Sequence, residues 1–202
     1  MSNNKSGGSS LSEDEVLKRC ASEMVDHIIA TQETVGITWT YILYRLSQHR
    51  RLQDELHKEL ITLNPPLTYE DGNEAMPSPA NIDKLPLLNA IVMEALRLHA
   101  ANPARMRRVV PPTGLELHDH FIPRGTVVSA NAYCLHRNPK VFPEPFDWLP
   151  EPWLVDRTDE GNSASMQTMR KWFWAFGSGT RGYIGQHFAL QSKIDLPFDV
   201  RC

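Results

Sequence analysis

The sequence predicts a mainly α-helical chain with a small β-hairpin region. Three observations carry this expectation. Apolar residues recur at helical spacing over long stretches that begin near Ser12, His49 and Asp83. Weak alternation around a Pro123-Arg124-Gly125 turn is confined to Leu115 to Val128. Prolines crowd the connections, notably Asn64 to Ala80 and Val141 to Trp153. At 202 residues the chain is long enough for one domain with a core. A net charge of -3 gives no electrostatic case for nucleic acid or an anionic membrane as partner. Cys20, Cys134 and Cys202 lie far apart with no C-x-x-C, so neither a disulfide framework nor a zinc site is implied, and a reducing, cytoplasmic setting is expected. Residues 1–10 are polar and Gly/Ser-rich, read as a disordered N-terminus and not as a signal peptide. No window approaches the apolar length of a membrane span.

The first helix is announced by Leu11-Ser12-Glu13-Asp14-Glu15-Val16. Ser12 is the N-cap, Glu15 completes a capping box, and Leu11 and Val16 are spaced as a hydrophobic staple. Apolar positions continue through Leu17, Met24/Val25, Ile28/Ile29, Val35, Trp39, Ile42/Leu43 and Leu46. That is about 35 residues, or roughly 52 Å at 1.5 Å per residue. In its middle, Ala30-Thr31-Gln32-Glu33-Thr34 sets a carboxylate beside a hydroxyl. Such a pair either belongs to a solvated stripe or faces a cavity, where it could relay protons.

His49 to Leu63 is a second, amphipathic helix, with Leu52, Leu56, Leu60 and Leu63 as its stripe. Asn64 to Ala80 is expected as a loop. Asp83 to His99 is a third helix, apolar almost all round, interrupted by Glu94 and Arg97 at i, i+3. On a buried helix those charges should pair with each other or with a third group. Asn102 to Pro112, carrying Arg105, Arg107 and Arg108, reads as extended. His118 and His120 are expected on one strand face, structural or solvent-exposed. Asn131 to Arg137 is a short helical turn, Val141 to Trp153 a packed irregular segment, and Thr158 to Met169 a polar loop. An aromatic run, Lys171-Trp172-Phe173-Trp174-Ala175-Phe176, leads into Phe176 to Gly185, which holds four glycines in ten residues and one arginine. Bare backbone ahead of a helix over Gln186 to Ile194 suits a flat or anionic guest; an ordinary glycine-rich turn is the alternative.

The order of these landmarks resembles that of the cytochrome P-450 haem-thiolate monooxygenases, in a fungal wording. Ala30-Thr31-Gln32-Glu33-Thr34 is similar to the family's A/G-G-x-D/E-T, Glu94-Ala95-Leu96-Arg97 to its E-x-x-R, and Pro150-Glu151-Pro152-Trp153 to its P-E-R-F/W. Phe176 to Gly185 resembles the haem-binding loop F-x-x-G-x-R-x-C-x-G. The resemblance implies an incomplete, C-terminal part of the cytochrome P-450 fold over residues 11–194, followed by a tail at 195–202 unlike the family. It implies haem as cofactor, a reductase as partner and a small hydrophobic organic substrate. By the same resemblance Arg108, His136 and Arg181 would hold the propionates. Phe176 would pack beneath the loop, Gly179 and Gly185 would let backbone approach the haem, Glu33 and Thr34 would deliver protons, and Glu94 and Arg97 would lock the core.

Several positions depart from the family pattern. Tyr183 stands where the family's axial cysteine falls, and its phenol oxygen reaches about 6 Å from Cα against about 3 Å for a thiol. Pro152 replaces an arginine, removing a donor from the Glu94–Arg97 network and leaving buried charge less well satisfied. Thr31 replaces the helix glycine. The chain begins near the family's central helix, so the long helix should show a bare flank. The expectation is a truncated, catalytically impaired member of the family, which usually reaches the endoplasmic-reticulum membrane through an N-terminal anchor. The alternatives are a non-catalytic remnant or interaction fragment, and a tyrosinate-ligated haem protein.

Overall fold

The structure, a computed structural model, describes residues 11–65, 77–154 and 160–191. The expectations for residues 1–10 and 195–202 lie outside the described residues. Helix α1 (Glu13–Gln48) runs 36 residues. Its capping box is formed: Ser12 Oγ accepts from the Glu15 N–H at 3.3 Å, and Glu15 Oε2 accepts from the Ser12 N–H at 2.9 Å. Leu11 and Val16 both stay exposed beside it.

Helix α2 (Arg50–Leu60) turns back at His49 and buries Leu52, Leu56 and Leu60. Gln53, itself buried, donates to the Leu46 carbonyl and ties the junction of α1 and α2. A short helix α3 (Pro79–Ile82) stands where the sequence suggested the end of a loop. Its Pro79 supplies the fixed φ that suits a first turn. Helix α4 (Pro86–Leu98) follows, with Pro86 in its first turn. Glu59 of α2 accepts from the Leu87 and Leu88 N–H groups at 2.7 and 2.8 Å, so one helix caps the start of another.

The main core gathers Ile42 and Leu46 of α1, Leu56 and Leu60 of α2, and Leu88, Ile91 and Ala95 of α4, with Trp148 against them. Only the last third of α1 is covered this way. Leu17, Met24, Val25, Ile28 and Ile29 are each more than half exposed. The expected bare flank is present, and it continues the face that buries Ile42 and Leu46 further along. Among the described residues no helix is long and apolar enough to cross a membrane.

The β region is two separate antiparallel pairs. β1 (Met106–Val109) pairs with β4 (Val127–Ala130), and β2 (Leu115–Leu117) pairs with β3 (His120–Ile122). The hairpin therefore turns at His118 and Asp119, and not at Pro123-Arg124-Gly125, which links β3 to β4. His118 takes φ 53 in that turn, so it shares no strand face with His120. Helix α5 (Ala132–Leu135) is capped by Asn131, whose Oδ1 accepts from the Cys134 N–H at 2.9 Å. A 3-10 turn covers Glu151–Trp153.

Helix α6 (Glu160–Trp172) corrects the reading of Thr158 to Met169 as a polar loop. Its composition is polar, but Met166, Met169, Trp172 and Phe173 recur at helical spacing and pack on Phe142 and Trp153. A narrow apolar stripe was enough once a second cluster existed to receive it. Helix α7 (Gln186–Gln191) follows the glycine-rich loop.

Candidate functional site

A cavity of about 530 Å³ opens between α1, the α4–β1 segment and the glycine-rich loop. Its walls are mainly apolar, from Val35 and Trp39 on α1, Val92 and Leu96 on α4, and Ala175 and Phe176 at the loop. Its size falls in the roughly 300–1,000 Å³ range of small-molecule sites. Three arginines belong to its lining, Arg105, Arg108 and Arg181. Strand alternation aims Met106 and Arg108 to the same, more buried side of β1. Arg108 Nη1 donates to the Arg107 carbonyl at 2.8 Å. Among the described residues no carboxylate pairs with any of the three arginines. Arginines in the lining of an apolar cleft, with no carboxylate partner among the described residues, suit a flat, apolar molecule with carboxylates on one edge.

The loop is shaped by its glycines and by one aromatic pair. Gly177 has φ 73, and a Cβ there would come within 3.3 Å of Met106 Sδ. Gly179 has φ 69 and opens a 3-10 turn over Gly179–Arg181. The Tyr183 N–H donates to the Phe176 carbonyl at 2.8 Å, which closes the loop on itself. The two rings lie nearly parallel, 13° apart with centroids 6.3 Å apart. The phenol end of Tyr183 folds over Gly185, where a Cβ would lie 2.9 Å from both Cζ and Oη. Phe176 packs on the main core.

On α1, Thr34 reaches the cavity wall and donates its hydroxyl to the Ala30 carbonyl at 2.6 Å. Glu33 is exposed and is not part of the lining. The adjacent pair is thus split: at 100° per residue, Glu33 falls outside the arc of α1 that meets the cavity, which includes Ala30, Thr34, Val35, Thr38 and Trp39.

Glu94 and Arg97 are buried below the cavity, 1% and 3% exposed. Arg97 uses all five N–H groups. Nε and Nη2 clamp Glu94 Oε2 and Oε1 at 2.7 Å each; Nη1 donates to the His136 and Pro145 carbonyls at 3.0 and 2.8 Å; Nη2 also reaches the Asp147 carbonyl at 2.8 Å. Glu94 is equally well served. Beyond the fork, Oε1 accepts from the Leu149 N–H at 2.8 Å and Oε2 from Trp153 Nε1 at 2.9 Å. The donor expected to be missing at Pro152 is therefore supplied from the next residue by an indole. The expectation of a poorly satisfied charge is corrected.

His136 belongs to this buried network and not to the cavity rim. It is fully buried. Its Nδ1 donates to the Arg97 carbonyl at 2.8 Å and its Nε2 accepts from the Trp174 N–H at 2.7 Å. Both partners fix the neutral, Nδ1-protonated tautomer, and burial holds its pKa down to about 4. Neither ring nitrogen is left for an anionic ligand. The cavity thus brings together Thr34, Arg108, Phe176, Arg181 and Tyr183, and leaves out Glu33, His136, Gly179 and Gly185. Sequence reasoning missed Arg105 and Met106 as cavity residues and Trp153 as a donor. Period-two spacing around Arg108 was the available signal for Met106.

The family model described as Cytochrome P450 matches residues 1–193 of the chain. The chain is similar to cytochrome P450 monooxygenase avaI of Aspergillus versicolor, 32% identical over 199 residues, covering 95% of this chain and 46% of that protein. It is similar to cytochrome P450 monooxygenase tazI of Aspergillus terreus, 37% identical over 163 residues, covering 81% of this chain and 30% of that protein. The human mitochondrial 25-hydroxyvitamin D-1 alpha hydroxylase is 34% identical over 162 residues, covering 80% of this chain and 29% of that protein. The chain spans less than half the length of each of these relatives.

Proposed function

This chain belongs to the cytochrome P450 family of haem monooxygenases, and from that membership we propose that its cavity holds haem but that its oxygenase activity is impaired. The observation that carries this is the meeting, on one cavity, of the α1 segment around Thr34, the Arg108 strand and the Phe176–Gly185 loop. Haem, when bound, supplies the oxygen activation of the family. The chain's own residues would then bind and orient it. Arg105, Arg108 and Arg181 hold the propionates by charge-assisted hydrogen bonds. Val35, Trp39, Leu96 and Phe176 exclude water from its faces. Thr34 Oγ1, which donates to the Ala30 carbonyl, would be the hydroxyl that hands on a proton. Glu33, one residue earlier, would serve as the outer, solvent-side acid. A reductase is the electron donor and a small hydrophobic organic molecule the substrate.

The impairment rests on the position that the family's motif gives to the ligating cysteine. Tyr183 stands there, and Cys20 and Cys134 are exposed and away from the cavity lining. Thiolate donation is what favours O–O cleavage in this family. Titration of the full chain with iron protoporphyrin, followed by absorbance, tests the haem site; saturable one-to-one binding is expected, and its absence sinks the proposal. Reducing the complex under carbon monoxide tests the impairment. No thiolate-type absorbance band is expected, and a stoichiometric one would overturn it.

A further inference from the structure

Resting on that haem-site reading, we propose that the cavity recognises the porphyrin dicarboxylate and is indifferent to its iron, because Tyr183 is a packing element of the loop and not an axial ligand. Three features hold Tyr183 back. Its N–H is bonded to the Phe176 carbonyl, its ring lies parallel to Phe176, and its hydroxyl end rests on the bare Cα of Gly185. A phenol oxygen presented to a metal would have to leave both the ring and the glycine. No cysteine or histidine lines the cavity among the described residues. Met106, the thioether on the wall, is turned onto Gly177. The site therefore lacks a presented ligand for a metal.

What it does present is recognition of the macrocycle. Val35, Trp39 and Leu96 give the cavity apolar walls, which would face a flat ring. Among the described residues Arg105, Arg108 and Arg181 have no carboxylate partner, so they can take those of a guest. Binding energy then comes from apolar burial and two charge-assisted contacts, both of which a metal-free tetrapyrrole retains. The ligand class is an apolar, planar tetrapyrrole carrying carboxylates on one edge, with or without a central metal.

The test measures the affinity of the full chain for three probes: iron protoporphyrin, metal-free protoporphyrin, and the dimethyl ester of the metal-free form. Expected are affinities for the first two within about threefold, and about tenfold or weaker binding of the ester, since tenfold corresponds to 1.4 kcal/mol. Tyr183→Phe keeps the ring and removes the phenol oxygen, so the absorbance spectrum of the iron complex should not change. Arg108→Gln with Arg181→Gln should weaken both acids about tenfold and leave the ester unchanged. Iron protoporphyrin binding about tenfold or more tightly than the metal-free form overturns the inference while leaving the haem site standing. A spectral change in Tyr183→Phe, or loss of the preference in Met106→Leu, would then identify the ligand. Ester and acid binding equally also overturns the inference. No saturable binding of any probe refutes the haem-site reading itself.

Discussion

Trp153 Nε1 lies 2.9 Å from Glu94 Oε2, two buried groups 59 residues apart in the chain. With the Arg97 fork and the Leu149 N–H, this indole fills the fourth acceptor site of the carboxylate. Removing one donor from a buried, charged acceptor costs more than the net worth of the bond. Trp153→Phe should therefore lower unfolding free energy by about 1–3 kcal/mol in denaturant titration. Pro152→Arg, which restores the family's cation, should change it by no more than about 0.5 kcal/mol. A clear gain from that arginine would show that Glu94 still lacks a donor.

His136 makes stability depend on pH. Burial, with smaller contributions from Arg97 and Arg137, holds its folded pKa near 4 against an ordinary 6.5, and a second imidazole, His99, is also held near 4. The folded state binds fewer protons than the unfolded chain below pH 6.5. Stability is thus fully present above about 6.5 and lost progressively as pH falls toward about 4. For His136 alone the loss is about 2–4 kcal/mol, at 1.36 kcal/mol per pKa unit. Denaturant midpoints that stay flat between about pH 6.5 and 5 would contradict the neutral assignment.

Glu59 is a tertiary cap. Its carboxylate accepts from the first free N–H groups of α4, Leu87 and Leu88, where the helix dipole is positive. Glu59→Ala should cost about 1 kcal/mol, within the range of lost N-caps. Glu59→Gln, which keeps one acceptor, should cost less. Equal losses would place the effect in packing.

Gly177 is held at φ 73 with Met106 close by. An L-residue in that region costs about 1–2 kcal/mol. Gly177→Ala should lose that much stability, and Met106→Ala should not recover it, because the strain is in the backbone. Full recovery in the double variant would assign the cost to the side-chain contact instead.

Local chemistry made much of the fold legible. Ser12 and Glu15 declared the start of α1 because both partners of a capping box lie within one turn. The leucine stripe of α2 and the all-round apolar α4 followed from spacing alone. Helix α6 was not legible in the same way, since its stripe of Met166, Met169 and Trp172 is narrow and depends on Trp153 and Phe142 to receive it. The turn of the hairpin misled because Pro123-Arg124-Gly125 is a stronger local signal than His118-Asp119, yet strand pairing chose the latter.

The sequence by itself determined α1, α2 and α4, the buried charge at Glu94 and Arg97, and the glycine-rich loop with its tyrosine, because each depends on residues within a few turns of one another. The tertiary structure alone decided which groups meet. It turned His136 inward onto Arg97 and Trp174, split Glu33 from Thr34 across the α1 surface, and supplied Glu94 with an indole from a distant turn. Those outcomes rest on contacts between segments 38 to 59 residues apart, or on which wall a helix face happens to meet. Hydrogen-bond demand in a buried site must be met by whatever donor packing brings near, and spacing along the chain does not specify that donor.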